Sequence, residues 1–340
     1  RRMTKGQHNA LIVRREESVR TMGKDYLVAL LLLLIVPTVY NGPRVLTLTA
    51  VSAAACMLGE IICCLAAHRD ISIYDLFPIT TGMTIAMLLP ASAPFWLAAA
   101  ASLFASVIAR GPFGGTGHTP FHPAAAGIAF VTFCWPDLVF SYPDLSSGQK
   151  LPIFGDCSEF PTVLSPDAAL KQGLKPEILP LDLLWGQFAG PMGTTATLVI
   201  CACGLYLTLK KTIDARIPLC FVGSAAVYAA LFPRIMTTPL TSVKYELLCG
   251  SLLFCAVFLA ADSVTAPRTG PGKILYGILG GILAMLIRSY GAYEQGACFA
   301  ILLLNAFSPV TDRLVLSVRE RLTERAAHRA GLPDGKGGGV

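Results

Sequence analysis

Apolar runs recur from Tyr26 to Pro309 with little between them. No other feature constrains the chain as much, because stretches of this length and composition place it in a lipid bilayer. Only 14% of its 340 residues are charged and 54% are hydrophobic. A soluble domain would be about a quarter charged, so a soluble enzyme is excluded. Disorder is excluded as well, since too much apolar surface is on offer. The net charge of +6 is not gathered into the dense basic patch that nucleic acid requires.

The pattern predicts an all-α integral membrane protein with about ten transmembrane helices. They fall at roughly 26–40, 45–67, 73–90, 94–110, 121–136, 184–208, 216–232, 245–262, 273–288 and 294–309. Several are shorter than the ~20 residues of a straight span, and Pro90 and Pro123 bound two of them. Short or broken segments of this kind mark backbone that is buried in protein or lines a cavity. With both termini on the cytoplasmic side of the cell membrane, 20 of the 27 Lys and Arg residues fall inside and seven outside. That asymmetry fixes the expected orientation. No cleavage site follows the first apolar run, so no signal peptide is expected.

The chain then divides into a cytoplasmic segment (1–25), a first five-helix repeat (26–136), an extracytoplasmic loop (137–183), a second five-helix repeat (184–310) and a cytoplasmic tail (311–340). Each half carries a helix with a polar break, a helix ending in Arg110 or Arg288, a Gly-containing turn and a short helix. An odd number of spans per half inverts one copy relative to the other.

The densest motif is Gly114-Gly115-Thr116-Gly117-His118-Thr119-Pro120-Phe121-His122-Pro123. Its glycines permit close backbone approach and its prolines fix the start of the next helix. Exposed N–H groups at such a start suit an anionic or electron-rich ligand; a re-entrant packing turn is the alternative. Ionisable groups within a membrane are functional candidates by default, which selects Glu60, Asp75 and Asp262 for an ion path. Arg110 and Arg288 read as side chains snorkelling to the interface. The 11 cysteines include no Cys-x-x-Cys pair and the histidines no ligand spacing, so no metal site is expected. No Walker loop, nucleophile elbow or dinucleotide fingerprint is present.

The stretch from Phe113 to Ala124 resembles the Gly-Gly-x-Gly-x-Asn-Pro-Phe-Asn-Pro-Ala signature of the RnfD/NqrB family. Gly190-Pro191-Met192-Gly193-Thr194-Thr195, running on to Arg216-Ile217-Pro218, is similar to a second family motif. Asp262-Ser263-Val264-Thr265-Ala266-Pro267 with Tyr276-Gly277, Ile287-Arg288, Gly296 and Asn305 resembles a third. The resemblance implies one component of an ion-translocating membrane complex that links reduced ferredoxin and NAD⁺, not catalytic alone, with other Rnf-type subunits as partners. It implies flavin: FMN, joined in relatives to a Thr hydroxyl by a flavin transferase, and riboflavin in NqrB-type members.

Here the attachment register falls at Ser165, within Thr162-Val163-Leu164-Ser165-Pro166, with Thr162 the second candidate. Val163 and Leu164 replace a Gly-Ala pair, so covalent FMN and an ordinary Ser-Pro turn both stay open. Gly114, Gly115, Gly117, Thr119 and His122 are the expected non-covalent flavin contacts, with Thr119 and His122 standing where the signature has Asn. A secondary transporter or channel of the same fold remains an alternative, as does a relay feeding extracytoplasmic flavoproteins.

Overall fold

The structure, a computed structural model, describes residues 5–68, 75–115, 119–144, 150–155, 157, 160–176, 178–235 and 238–329. Helix α1 (Lys5–Asn41) runs through Pro37 without a break, and α2 (Arg44–Ala66) returns beside it. Then come α3 (Phe77–Leu88), α4 (Phe95–Phe113) and α5 (Pro123–Cys134). From Phe104 to Arg110, α4 winds as a π-helix. The connection that follows holds α6 (Pro136–Val139), an antiparallel pair of strands, β1 (Tyr142–Pro143) and β2 (Thr162–Val163), and two short helices, α7 (Pro166–Lys171) and α8 (Pro180–Trp185). The second half comprises α9 (Thr197–Leu209), α10 (Arg216–Leu231), α11 (Pro239–Leu248), α12 (Leu252–Leu259), α13 (Gly270–Tyr290) and α14 (Gly296–Arg329).

Among the described residues, five helices are long and apolar enough to cross a membrane, or six if α11 and α12 form one bent span. Four more, α3, α5, α9 and α10, are apolar but shorter. The outward faces carry Leu31, Leu32, Ile35, Val39, Leu219 and Val227, the composition of a hydrocarbon-facing surface. The chain is an all-α integral membrane protein.

Two expected helices are interrupted. The run at 184–208 is helical in its long part only from Thr197, because residues 186–196 are held in non-helical form by partners far away in sequence. Met192 donates its N–H to Leu89 O (3.0 Å) and Gly193 its own to Met87 O (2.7 Å). A Cβ on Gly193 would lie 2.5 Å from the Met87 Cβ, so only glycine permits this approach. The run at 245–262 breaks at residues 249–251, and its two halves meet at 65°.

The packing order repeats. In the first half α2 packs on α3 and α4, and α4 on α5; in the second α10 packs on α11 and α13, and α13 on α14. The halves meet through α1 against α9 and α5 against α14. In each, the third span gives way to largely buried non-helical chain, residues 89–94 after α3 and 260–267 after α12. At 12 residues, α3 reaches roughly 18 Å at ~1.5 Å per residue, well short of a ~30 Å hydrocarbon layer. The carbonyls freed past its end must find donors. Gln295 Nε2 reaches Leu88 O (2.8 Å), and Arg44, 1% exposed, donates to Ala91 O (3.0 Å) and Ala93 O (3.2 Å).

Candidate functional site

A cavity with about 700 Å³ of empty volume, partly open to solvent, lies where the two halves meet. Thr119 and His122 come from the segment before α5, and Asp262 and Ser263 from the segment after α12. Thr80, Thr81 and Thr84 present one face of α3; Tyr26 and Phe77 supply aromatic walls. His122 sits at the cap position of α5, 8% exposed, and its Nδ1 has no hydrogen-bond partner among the described residues. Asp262 is tied locally, accepting from the Val264 N–H (3.4 Å) and the Thr265 hydroxyl (3.5 Å). The Tyr26 hydroxyl donates to Phe258 O.

Arg110 closes the cavity. It is 4% exposed, which overturns the snorkelling expectation: it points inward. Its Nη2 donates to Asp75 Oδ2 (2.8 Å), and its Nε lies 3.4 Å from Glu60 Oε2. Asp75 also accepts from the Phe77 N–H (3.0 Å), which starts α3. A buried guanidinium needs compensating anions, and two carboxylates from α2 and the start of α3 provide them. Glu60 and Asp75 therefore share one arginine, and Asp262 lines the same cavity from the other half. Gly114 and Gly115 adopt positive φ (+105° and +85°) just after α4, where glycine is the favoured residue; neither lines the cavity, and Gly117 lies outside the described residues.

Ser165 is elsewhere, in the connection between the halves. It is 4% exposed and caps α7, its Oγ accepting from the Ala168 N–H (3.0 Å) and donating to Glu294 Oε2 (2.6 Å). Asp167 beside it is 2% exposed and binds Arg288 Nε (2.8 Å) and Arg234 Nη2 (2.9 Å) through Oδ1. Arg234 also pairs with Glu246, and Arg288 donates to Glu246 O (2.5 Å) and Cys249 O (2.7 Å) at the broken end of α11. Arg288, like Arg110, is buried rather than snorkelling. The adjoining cavity has about 260 Å³ of empty volume and is lined by Tyr142, Ser165, Asp167, Gly250, Glu294 and Gln295. Burial pushes the Glu294 carboxyl up to about 7, and the neighbouring Asp167 adds to the rise while Ser165 opposes it. A phosphoester on Ser165 would remove the hydroxyl proton that it donates to Glu294. Thr162 is exposed, on β2.

Sequence reasoning does not single out Arg44, Asp167, Arg234, Glu246, Glu294 or Gln295. For Glu246 and Arg44 a signal exists: each lies in or at the head of an apolar run, the same criterion that selects Glu60.

Two matched halves, buried arginine–carboxylate clusters and a hydroxyl-lined cavity between broken helices define a multi-pass membrane protein with an internal polar site. The chain belongs to the NQR2, RnfD, RnfE family, whose model matches residues 7–319. It is 29% identical over 304 residues, 88% of this chain and 90% of the relative, to the D subunit of the Na⁺-translocating ferredoxin:NAD⁺ oxidoreductase complex of Acetobacterium woodii. It is 30% identical over 264 residues, 74% and 76% of the two chains, to the D subunit of the proton-translocating ferredoxin:NAD⁺ oxidoreductase complex of Clostridium ljungdahlii. The D subunit of the ion-translocating oxidoreductase complex of Klebsiella pneumoniae is 30% identical over 272 residues, 72% of this chain and 78% of its own.

Proposed function

We propose that this chain is the flavin-carrying D subunit of an Rnf-type complex in the cell (inner) membrane. The complex links reduced ferredoxin and NAD⁺ to Na⁺ or H⁺ translocation, and both termini of this chain face the cytoplasm. The observation that carries the reading is the cavity between the halves, which joins Thr119 and His122 of one family motif to Asp262 of another. The residues fit a flavin. Threonine hydroxyls and the unpartnered His122 Nδ1 can satisfy the ring's donors and acceptors, and Tyr26 and Phe77 offer apolar contact to its faces.

Charge favours the neutral form. Among the described residues the cavity and its rim hold Arg110 against Glu60, Asp75 and Asp262, a surplus of carboxylate that disfavours the phosphate of FMN. Riboflavin is the better occupant, held without a covalent bond and without need of a flavin transferase. Bound there, a flavin supplies electron exchange. The chain's own residues bind it, exclude water and set its surroundings. Asp262, Glu60 and Asp75 lie beside the same cavity, so a cation entering from this end would meet carboxylates next to the redox site. Sites for ferredoxin and NAD⁺ belong to partner subunits.

The test is flavin content in the purified complex, wild type against Thr84→Phe, which fills the cavity. Loss of one flavin per complex, released free by acid, is expected. Unchanged flavin content, together with ion flux through the chain alone in liposomes, would favour the transporter reading instead.

A further inference from the structure

The two cavities are counterparts. His122 precedes α5, the fifth span of the first half, and Gln295 precedes α14, the fifth span of the second. Arg110 ends the π-helical turn of α4, and Arg288 lies in the last turn of α13. The first cavity adjoins the segment after α12, and the second adjoins the end of α3 through the Gln295–Leu88 bond. Helix α12 leads from Gly250 and Ser251 at the second to Asp262 at the first. What differs is room: the second is the smaller, and the carboxyl groups of Asp167 and Glu294 stand in its lining.

We propose that this second cavity is a proton-exchange site, in which the Glu294 carboxyl takes up and releases one proton at the end of the bundle opposite the Arg110–His122 cavity.

Two acceptors of the lining want a donor. Asp167 Oδ2 and Gln295 Oε1 are buried without a hydrogen-bond partner among the described residues, and both residues, each 2% exposed, line the cavity. Leaving such groups unsatisfied costs about 1–3 kcal/mol each, so the site favours an O–H that can turn towards them. Protonated Glu294 supplies that O–H. Glu294 is half-buried at the rim, and the proton therefore exchanges with solvent at that end. When the carboxyl ionises, the Ser165 hydroxyl donates to it at 2.6 Å.

The surrounding charges hold both states close in energy. Arg288 from α13, Arg234 from the α10–α11 connection and Lys171 from α7 are positive; Asp167 from α7 and Glu246 from α11 are negative. Tyr142 from β1 is hydrogen-bonded to Glu294 and Gln295 and stays neutral, burial raising it further; the Cys249 thiol at the end of α11 is buried beside them. The cluster carries one excess positive charge with Glu294 protonated and none with it ionised. A metal cation is disfavoured, because Arg288 already donates to the Glu246 and Cys249 carbonyls that a half-helix end would offer an ion. No electron is exchanged: the step is one carboxyl O–H bond broken and the proton passed to water.

The experiment is infrared difference spectroscopy of the intact complex in lipid, titrated between about pH 5 and 9, with wild type, Glu294→Gln and Ser165→Ala. A carboxylic C=O band that disappears as pH rises through neutrality in wild type, and is missing in E294Q, is expected. In S165A the midpoint should move up by about half a unit or more, because the hydrogen bond favouring the ionised form is gone. Should E294Q assemble poorly, Glu294→Asp keeps a carboxyl but shortens its reach to Ser165, and its midpoint should also rise. No band distinguishing wild type from E294Q would overturn the proposal. So would a midpoint that falls by about one pH unit when Na⁺ replaces K⁺, since a metal ion would then be the ligand.

Discussion

Arg44 supports the broken end of α3, and its removal should be costly. The guanidinium donates to four carbonyls: Ala91 (3.0 Å), Ala93 (3.2 Å), Pro152 (3.3 Å) and Gly155 (2.8 Å). The bonds to Pro152 and Gly155 are only part-buried, and water can replace the arginine there. Those to Ala91 and Ala93 are buried, and each orphaned carbonyl costs about 1–3 kcal/mol. The expected loss for Arg44→Ala is therefore about 2–6 kcal/mol. At roughly 2 °C per kcal/mol for a chain of this size, that is a fall of about 4–12 °C in Tm. A maleimide dye reports it, because Cys56 and Cys249 are buried and react only on opening. Arg44→Lys retains charge but reaches fewer carbonyls, and should fall between the two. A Tm for R44A within about 1 °C of wild type would refute the idea that this arginine satisfies the carbonyls of the break.

Other outcomes follow from the same geometry. Asp75→Asn removes the Arg110 Nη2 acceptor carboxylate while Glu60 stays, and should destabilise the fold by about 1–3 kcal/mol, read as a lower Tm; Asp75→Glu should recover part of it. Glu294 titrates at about 7 in the folded protein, above its unfolded value. Between the two values the folded state binds the extra proton, so stability falls as pH rises from about 4.5 to 7. A plot of Tm against pH should be flatter for Glu294→Gln. His122→Asn should alter flavin affinity or its pH dependence in a fluorescence titration, and unchanged behaviour would remove His122 from the site. Gly193→Ala places a Cβ 2.5 Å from the Met87 Cβ and should lower Tm or assembly yield.

The helical segments are legible in the sequence because lipid imposes one rule on every span, and apolar length alone reports it. The breaks are less so. Nothing in residues 186–196 marks them as non-helical except their glycines and Pro191; the bonds from Met192 and Gly193 to the end of α3 come from chain a hundred residues earlier. The site divides in the same way. Thr119 and His122 are readable as a motif, and Asp262 as an ionisable group in an apolar context. That they line one cavity depends on α12 and α5 both packing against α14, which spacing does not encode. Ser165 lies in the expected connection between the halves, yet its burial against Glu294 depends on the α13–α14 turn folding over α7. The two arginines mislead because an arginine at a helix end looks the same whether it reaches outwards to water or inwards to carboxylates.

The central claim is a flavin held without a covalent bond between the two halves. The most direct measurement is acid precipitation of the gently purified complex, with flavin assayed in the supernatant and in the denatured band of this chain. Riboflavin is expected in the supernatant beside a dark band, and Thr84→Phe should lose that riboflavin. A fluorescent band that vanishes in Ser165→Ala, or a wild-type complex whose flavin is untouched by filling the cavity, would contradict it.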